Sequence, residues 1–217
     1  MEIIKLEKGY LTILTGKSDM GKSTITVYEC GENLRSGQKV IFFSYEYCQS
    51  IIYNKLISHF NLSWSQLLNL NIVDAAGLHL DDLVSFMRAK KGNVDALYVD
   101  YLDLLKAATY SKAKNEAEDL QQIQKIVKTL AALAKELDIS VVLLSQVGSS
   151  SDFEKAVERL NLFTEKADKN TIKMFIGKGN IIDARIDYAD IVHVIHVDGY
   201  NLKHFSSINI KEIYGDN

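Results

Sequence analysis

The chain has 217 residues, 47% of them hydrophobic and 24% charged, the balance of a folded globular protein long enough to bury one sizeable core. Lys and Arg number 25 against 28 Asp and Glu, a formal net charge of −3, which excludes a strongly basic field and leaves any contact with a polyanion to local patches. Cys30 and Cys48 are too few for a disulfide framework, the first residues form no secretory leader, and no apolar run approaches the roughly 18 residues of a membrane span. The expectation is a cytoplasmic chain, without a membrane partner, folded as a single domain over residues 1–217. Proline is absent, glycine stands at 12, and no repeat or low-complexity linker divides the chain.

Short apolar runs alternate with longer segments of helical period. Strands are predicted at Tyr10–Thr15, Lys39–Ser44, Leu70–Asp74, Ala96–Asp100 and Ser140–Ser145, with two more at Ile191–Val197 and Ser207–Ile213. Between the fourth and fifth, Leu120, Ile123, Val127, Leu130, Ala134 and Leu137 recur three and four residues apart, the stripe of a helix lying on a core. The pattern predicts an α/β fold, a mostly parallel β-sheet with helices on both faces. Residues 148–180 break it: polar, glycine-marked at both ends and only partly helical in pattern around Phe153–Phe163, they read as an excursion from the sheet.

Directly after the first strand, Gly16-Lys17-Ser18-Asp19-Met20-Gly21-Lys22-Ser23-Thr24 satisfies G-x-x-x-x-G-K-[ST] in a strand-to-helix context. Gly16 and Gly21 permit a tight turn whose N–H groups converge on a phosphate at the positive end of the next helix. Lys22 supplies a point charge for the outer phosphates, and the Ser23 hydroxyl is placed to ligate magnesium. The second magnesium ligand is expected at the carboxyl end of another buried strand, where Asp100 closes ALYVD, although a carboxylate there also serves as a turn cap. Asp103 is a weaker candidate and reads as a surface residue. Gln146 ends the fifth strand at the same edge, either to sense the γ-phosphate or simply as a solvated strand end. Glu46 follows KVIFFS by two residues and is a candidate base for the attacking water, or an exposed loop acid.

Taken together, TILTGKSDMGKST, KVIFFSYEYC, NVDALYVDYLDLL, AALAKELDISVVLLSQ and IDYADIVHVIH resemble the successive motifs of the RecA-type motor domain of DnaB-like replicative helicases, in the same order and over most of the chain. The glutamate after the second strand, the aspartate-tyrosine-leucine after the fourth and the serine-glutamine ending the fifth are the specific part of the likeness. The resemblance implies a RecA-like P-loop NTPase fold and an ATPase of helicase type that uses ATP and Mg2+, acts on single-stranded DNA in replication, and assembles as a homo-oligomeric ring or filament, in company with other replication proteins. It assigns Lys22, Ser23 and Asp100 to Mg-ATP, makes Glu46 the catalytic base, and has Gln146 couple nucleotide state to DNA-binding loops. The excursion at 148–180 then corresponds to the channel-lining region. There, six basic residues face five acidic ones, and Lys169, Lys173 and Lys178 are the candidates for phosphate contacts.

The sequence also departs from that family. No N-terminal domain or linker helix is read ahead of the first strand. The late Lys-x-Arg pair, whose arginine reaches a neighbour's nucleotide, is matched here by Lys211-Glu212-Ile213. The chain holds four arginines, and Arg35 and Arg88 read as surface positions on early helices. Arg159 and Arg185, with Lys211 as a weaker third because it lacks the planar fork, are the candidates for a finger acting in trans. These departures favour an alternative, a RecA-like nucleotide-binding accessory or recombination module with weak ATPase. A small-molecule kinase built on the same phosphate loop is disfavoured, because such enzymes close an arginine-bearing lid.

Overall fold

The computed structural model describes residues 6–16, 22–146, 171–176, 184–186, 191–198 and 201–209. In chain order the elements are β1 (Leu11–Gly16), α1 (Lys22–Arg35), β2 (Val40–Ser44), α2 (Gln49–Phe60), α3 (Trp64–Leu67), β3 (Leu70–Asp74), α4 (Leu80–Ala89), β4 (Ala96–Asp100), α5 (Leu102–Thr109), α6 (Glu116–Leu137), β5 (Ser140–Gln146), β6 (Thr171–Ile176), β7 (Ala184–Ile186), β8 (Ile191–Asp198) and β9 (Asn201–Asn209). Seven strands form one sheet in the order β3-β2-β4-β5-β1-β6-β7, parallel throughout except for β7, which runs antiparallel to β6. β8 and β9 pair as an antiparallel ribbon.

Both faces of this sheet are covered, which is why its strands read as unbroken apolar runs rather than alternating ones. Leu11, Ile13, Phe43, Leu97, Val99, Val141 and Leu143 point to one face and meet α4, α5 and α6. Leu14, Val40, Phe42, Tyr98, Val142 and Leu144 point to the other and meet α1 and α2. α6 carries the predicted stripe: Ile123, Val127, Leu130, Ala134 and Leu137 are buried, and Leu120 is partly so. Each fully buried aliphatic chain contributes about 1.5–3 kcal/mol, so this one helix anchors much of its face. Asn115 caps it by accepting from the Glu118 N–H at 2.9 Å, with Glu116, Glu118 and Asp119 at the positive end. Among the described residues, no helix is long and apolar enough to cross a membrane.

Two expectations are corrected. Residues 171–176 lie inside the stretch read as an excursion, yet they form β6, parallel to β1 from Leu11↔Thr171 to Gly16↔Ile176. TIKMFI carries a lysine in mid-run, so its local signal is weak; the open edge of β1, with a row of backbone groups needing partners, selects it. Among the described residues the last strand starts at Asn201 rather than at Ser207, because its hairpin register with β8 starts at Asp198↔Asn201; 210–213 of the predicted Ser207–Ile213 lie outside the described residues.

On the α1 side, close helix packing depends on Gly31. A Cβ there would lie 2.6 Å from the Phe60 ring at the end of α2. Gly31→Ala is expected to lower the melting temperature by several degrees despite the better helix propensity of alanine, because overpacking costs about 1–3 kcal/mol and propensity returns at most about 1. Thermal unfolding tests this, and Phe60→Leu in the same chain should restore the loss; an unchanged or higher midpoint for Gly31→Ala alone would show that the ring has room to move.

Candidate functional site

The carboxyl ends of β1, β2, β4 and β5 lie along one edge of the sheet, where ligands of open parallel sheets bind. β1 ends at Gly16 and α1 opens at Lys22 with Ser23 in its first turn. Lys17, Ser18, Asp19, Met20 and Gly21, which connect them, lie outside the described residues. The Thr26 hydroxyl donates to the Lys22 carbonyl at 3.0 Å, so the first turn of α1 is tied internally. Thr24 follows on the same turn, half-buried.

Across β5 from this turn, Asp100 ends β4 with only 3% of its surface exposed. Its position follows from strand alternation. Ala96, Tyr98 and Asp100 share the face that α1 covers, whereas Leu97 and Val99 face α4–α6. The Ser23 hydroxyl hydrogen-bonds the Asp100 carboxylate, and Lys22, Lys55 and Glu46 all lie within electrostatic reach of it. Burial pushes the Asp100 carboxyl up to about 7, and the negative charge of Glu46 adds to the rise; Lys22, Lys55 and the Ser23 hydrogen bond oppose it. The peptide bond from Asp100 to Tyr101 is cis. The Tyr101 phenol is raised too, first by burial and then by the Asp103, Glu46 and Asp100 carboxylates.

Glu46 is exposed, and the turn that carries it is firmly held. The Tyr45 N–H donates to the Asp100 carbonyl at 2.7 Å. Buried Ser44 donates through its hydroxyl to the Tyr47 carbonyl at 2.6 Å and accepts from the Tyr47 N–H at 3.0 Å. The Tyr45 hydroxyl reaches the Leu78 carbonyl at 3.2 Å. Tyr45 thus points inward and Glu46 outward, beside Asp100. Gln146 is the exposed last residue of β5, in register with Gly16 on β1.

Lys22, Ser23, Asp100 and Glu46 are therefore brought together, with Gln146 on the strand between β1 and β4. Asp103 is drawn instead into the first turn of α5, at that helix's positive end. Arg35 pairs with Glu32 at 3.0 Å and Arg88 with Glu136 at 2.7 Å, both on the surface as expected. Lys173 falls within β6 opposite Ile13, not in a free loop, and Arg185 falls in β7 opposite Met174. Lys169, Lys178, Arg159 and Lys211 lie outside the described residues. One candidate position was not read from the sequence at all. Lys55 on α2 lies over the Tyr47 ring, 4.8 Å from its centroid, and adds a second positive charge near Asp100. No motif flags it; only the folding of α2 over the β2 turn brings it there.

The donor set suits a hard cation. A serine hydroxyl and a buried carboxylate are oxygen ligands of the kind magnesium takes one or two at a time, its remaining positions filled by phosphate and water. Among the described residues no group of three or more His, Cys, Asp or Glu side chains is arranged to hold a metal.

A parallel sheet with β5 between β1 and β4, and α1 opening at Lys22-Ser23 directly after the G-x-x-x-x-G motif, define a RecA-like P-loop α/β domain. Within that class, a family model described as the DnaB-like helicase C terminal domain matches residues 60–158. The chain is 24% identical over 243 residues to the replicative DNA helicase DnaB of Geobacillus stearothermophilus, covering 98% of this chain and 49% of that one. With the DnaB of Haemophilus influenzae it shares 24% over 241 residues, 98% of this chain and 44% of that one. The chain thus spans about half the length of the curated relatives it matches. Among solved structures, it is similar to one described as an ATPase domain, with TM-score 0.60 and 20% identity over 97% of this chain and 84% of that one. It is also similar to a DnaB-like replicative helicase described with its interactions with primase, with TM-score 0.62 and 19% identity over 94% of this chain and 55% of that one. The resemblance to DnaB-like motor domains read from the motifs, and the RecA-like fold it implied, are borne out.

Proposed function

We propose that this chain binds Mg-ATP at the β1–α1 turn and hydrolyses it as the motor domain of a replicative helicase acting on single-stranded DNA. The observation that carries the reading is the hydrogen bond from Ser23 to buried Asp100, with Lys22, Lys55 and Glu46 gathered around it. In this reading Gly16 to Gly21 present backbone N–H groups to the phosphates and Lys22 neutralises the outer ones. Ser23 and Asp100 would hold a magnesium ion, which would supply positive charge against the phosphate oxygens. Glu46 orients a water and takes its proton as the water oxygen bonds to the γ-phosphorus and the bond to the ADP oxygen breaks. Gln146, on the strand between the two halves of the site, relays the presence of the γ-phosphate towards residues 148–180.

Residues 1–217 act as one domain in this reading. Lys169, Lys173 and Lys178 contact the phosphates of single-stranded DNA, and Arg159, Arg185 or Lys211 completes a neighbour's site in a ring or filament of identical chains. The DnaB names of the relatives and the primase complex of one structural neighbour support a replication setting with further protein partners.

The test is hydrolysis and mass measured together. Purified chain is expected to hydrolyse ATP in the presence of Mg2+, faster with single-stranded DNA and with rising protein concentration, and to gain mass in solution with a non-hydrolysable ATP analogue. Lys22→Ala should lose both binding and turnover. Nucleotide binding with slow turnover, indifferent to DNA, would instead mark the accessory module; no nucleotide affinity in the wild-type chain would end both readings.

A further inference from the structure

We propose that the buried hydrogen bond between Asn33 and Tyr98 is a positioning contact that fixes α1 along β4 and so holds Ser23 beside Asp100, an inference that deepens the nucleotide reading above and rests on it. The Asn33 side-chain amide, near the far end of α1, donates to the Tyr98 hydroxyl at 2.7 Å. Tyr98 has no exposed surface, and its ring stacks on Phe42 with centroids 5.7 Å apart and planes 17° apart, so the hydroxyl is a fixed point. Tyr98 and Asp100 are two residues apart on β4 and face α1 together.

The apolar side chains that α1 buries in the cluster with this face of the sheet are Ile25, Val27, Cys30 and Leu34. Such contacts hold a helix down but carry little direction, because the hydrophobic effect scales with area rather than angle. Hydrogen bonds are directional. Ser23 to Asp100 and Asn33 to Tyr98 are two polar ties from one helix to one strand, ten residues apart on α1 and therefore about 15 Å apart along its axis. One tie leaves a rod free to pivot; two fix its height and rotation. The Ser23 end carries the proposed metal ligand, so freedom at the Asn33 end reaches the metal site first. Burial keeps the Tyr98 phenol protonated far above its ordinary range, with Cys30 and Glu29 adding to the effect, so the tie persists wherever the protein is folded.

The experiment titrates Mg2+ against the full chain holding a fluorescent ATP analogue, and compares it with analogue binding in EDTA. Tyr98→Phe keeps the stacked ring and deletes only the hydroxyl; Asn33→Ala deletes the other partner at a half-buried position and serves the same readout if Tyr98→Phe folds poorly. Either variant is expected to raise the Mg2+ midpoint about threefold to tenfold, the scale of one hydrogen bond. The double variant should add little more, and metal-free binding, held by the turn around Lys22, should change less than about twofold. A lowered melting temperature with an unchanged Mg2+ midpoint in both variants would overturn the proposal, because a merely structural bond moves only the former. If the wild-type chain itself bound no nucleotide, the functional reading would fail and this inference with it.

Discussion

Glu46→Gln is expected to slow ATP hydrolysis by about two to four orders of magnitude while leaving nucleotide affinity within a few-fold, because the amide keeps the shape of the side chain but cannot accept the proton of the attacking water. The turn makes this a clean substitution. Ser44, Tyr45 and Tyr47 hold the backbone through their own hydrogen bonds and the Glu46 side chain is exposed, so the turn keeps its shape, and loss of the charge only relieves the repulsion on Asp100. Steady-state phosphate release and equilibrium binding of an ATP analogue separate the two effects. Turnover within tenfold of wild type would remove Glu46 from the role of base. Lys22→Ala should differ in kind, losing binding itself, since in the proposed function Lys22 acts on the phosphates in ground and transition state alike.

Asp100→Asn is expected to raise thermal stability at pH 8 while abolishing stabilisation by Mg-nucleotide. Burial first, and Glu46 second, raise the Asp100 carboxyl to about 7, far above an unfolded aspartate near 3.8. Between roughly pH 4 and pH 7 the folded chain therefore holds a proton that the unfolded chain has released, and its stability falls as pH rises through that window. Above the folded value the loss is complete. Asparagine has no charge to bury and still accepts from Ser23, so the variant should melt several degrees above wild type at pH 8 and close to it at pH 4. With Mg2+ and an ATP analogue the order should reverse, as only the ionised carboxylate ligates the metal. Equal melting temperatures for the two proteins at pH 8 without nucleotide would show that Asp100 is not held at a cost to the fold.

That cost is itself informative. A single carboxylate buried beside a second one, with two lysines at a distance, is poor design for stability and suitable design for a cation that arrives with its substrate. The Glu46 and Asp100 charges repel each other in the nucleotide-free chain, and in the proposed function a divalent ion against Asp100 would offset that repulsion, coupling ligand binding to stability through one side chain.

Much of this edge was legible in the one-dimensional pattern. The carboxyl ends of the strands at Ser44, Asp74 and Asp100 were placed to the residue, because apolar runs covered on both faces have abrupt polar ends. Lys22 and Ser23 follow from a turn whose glycines and cations have local reasons to be adjacent. The α6 stripe was legible because helical period is a local property. β6 was not, because its pairing is supplied by the free edge of β1, 160 residues earlier, rather than by TIKMFI itself. Nor was Lys55, whose relevance lies in the packing of α2 over the Ser44–Tyr47 turn.

The sequence by itself determined the α/β class, the positions of the five central strands, and the candidate groups for a phosphate and a metal, since each of these rests on neighbours a few residues apart. Only the tertiary structure decided the strand order that sets β5 between Gly16 and Asp100, the face of β4 that turns Tyr98 and Asp100 together towards α1, and the burial that raises the Asp100 carboxyl. Those depend on which surfaces meet across long stretches of chain, and local pattern carries no record of that meeting.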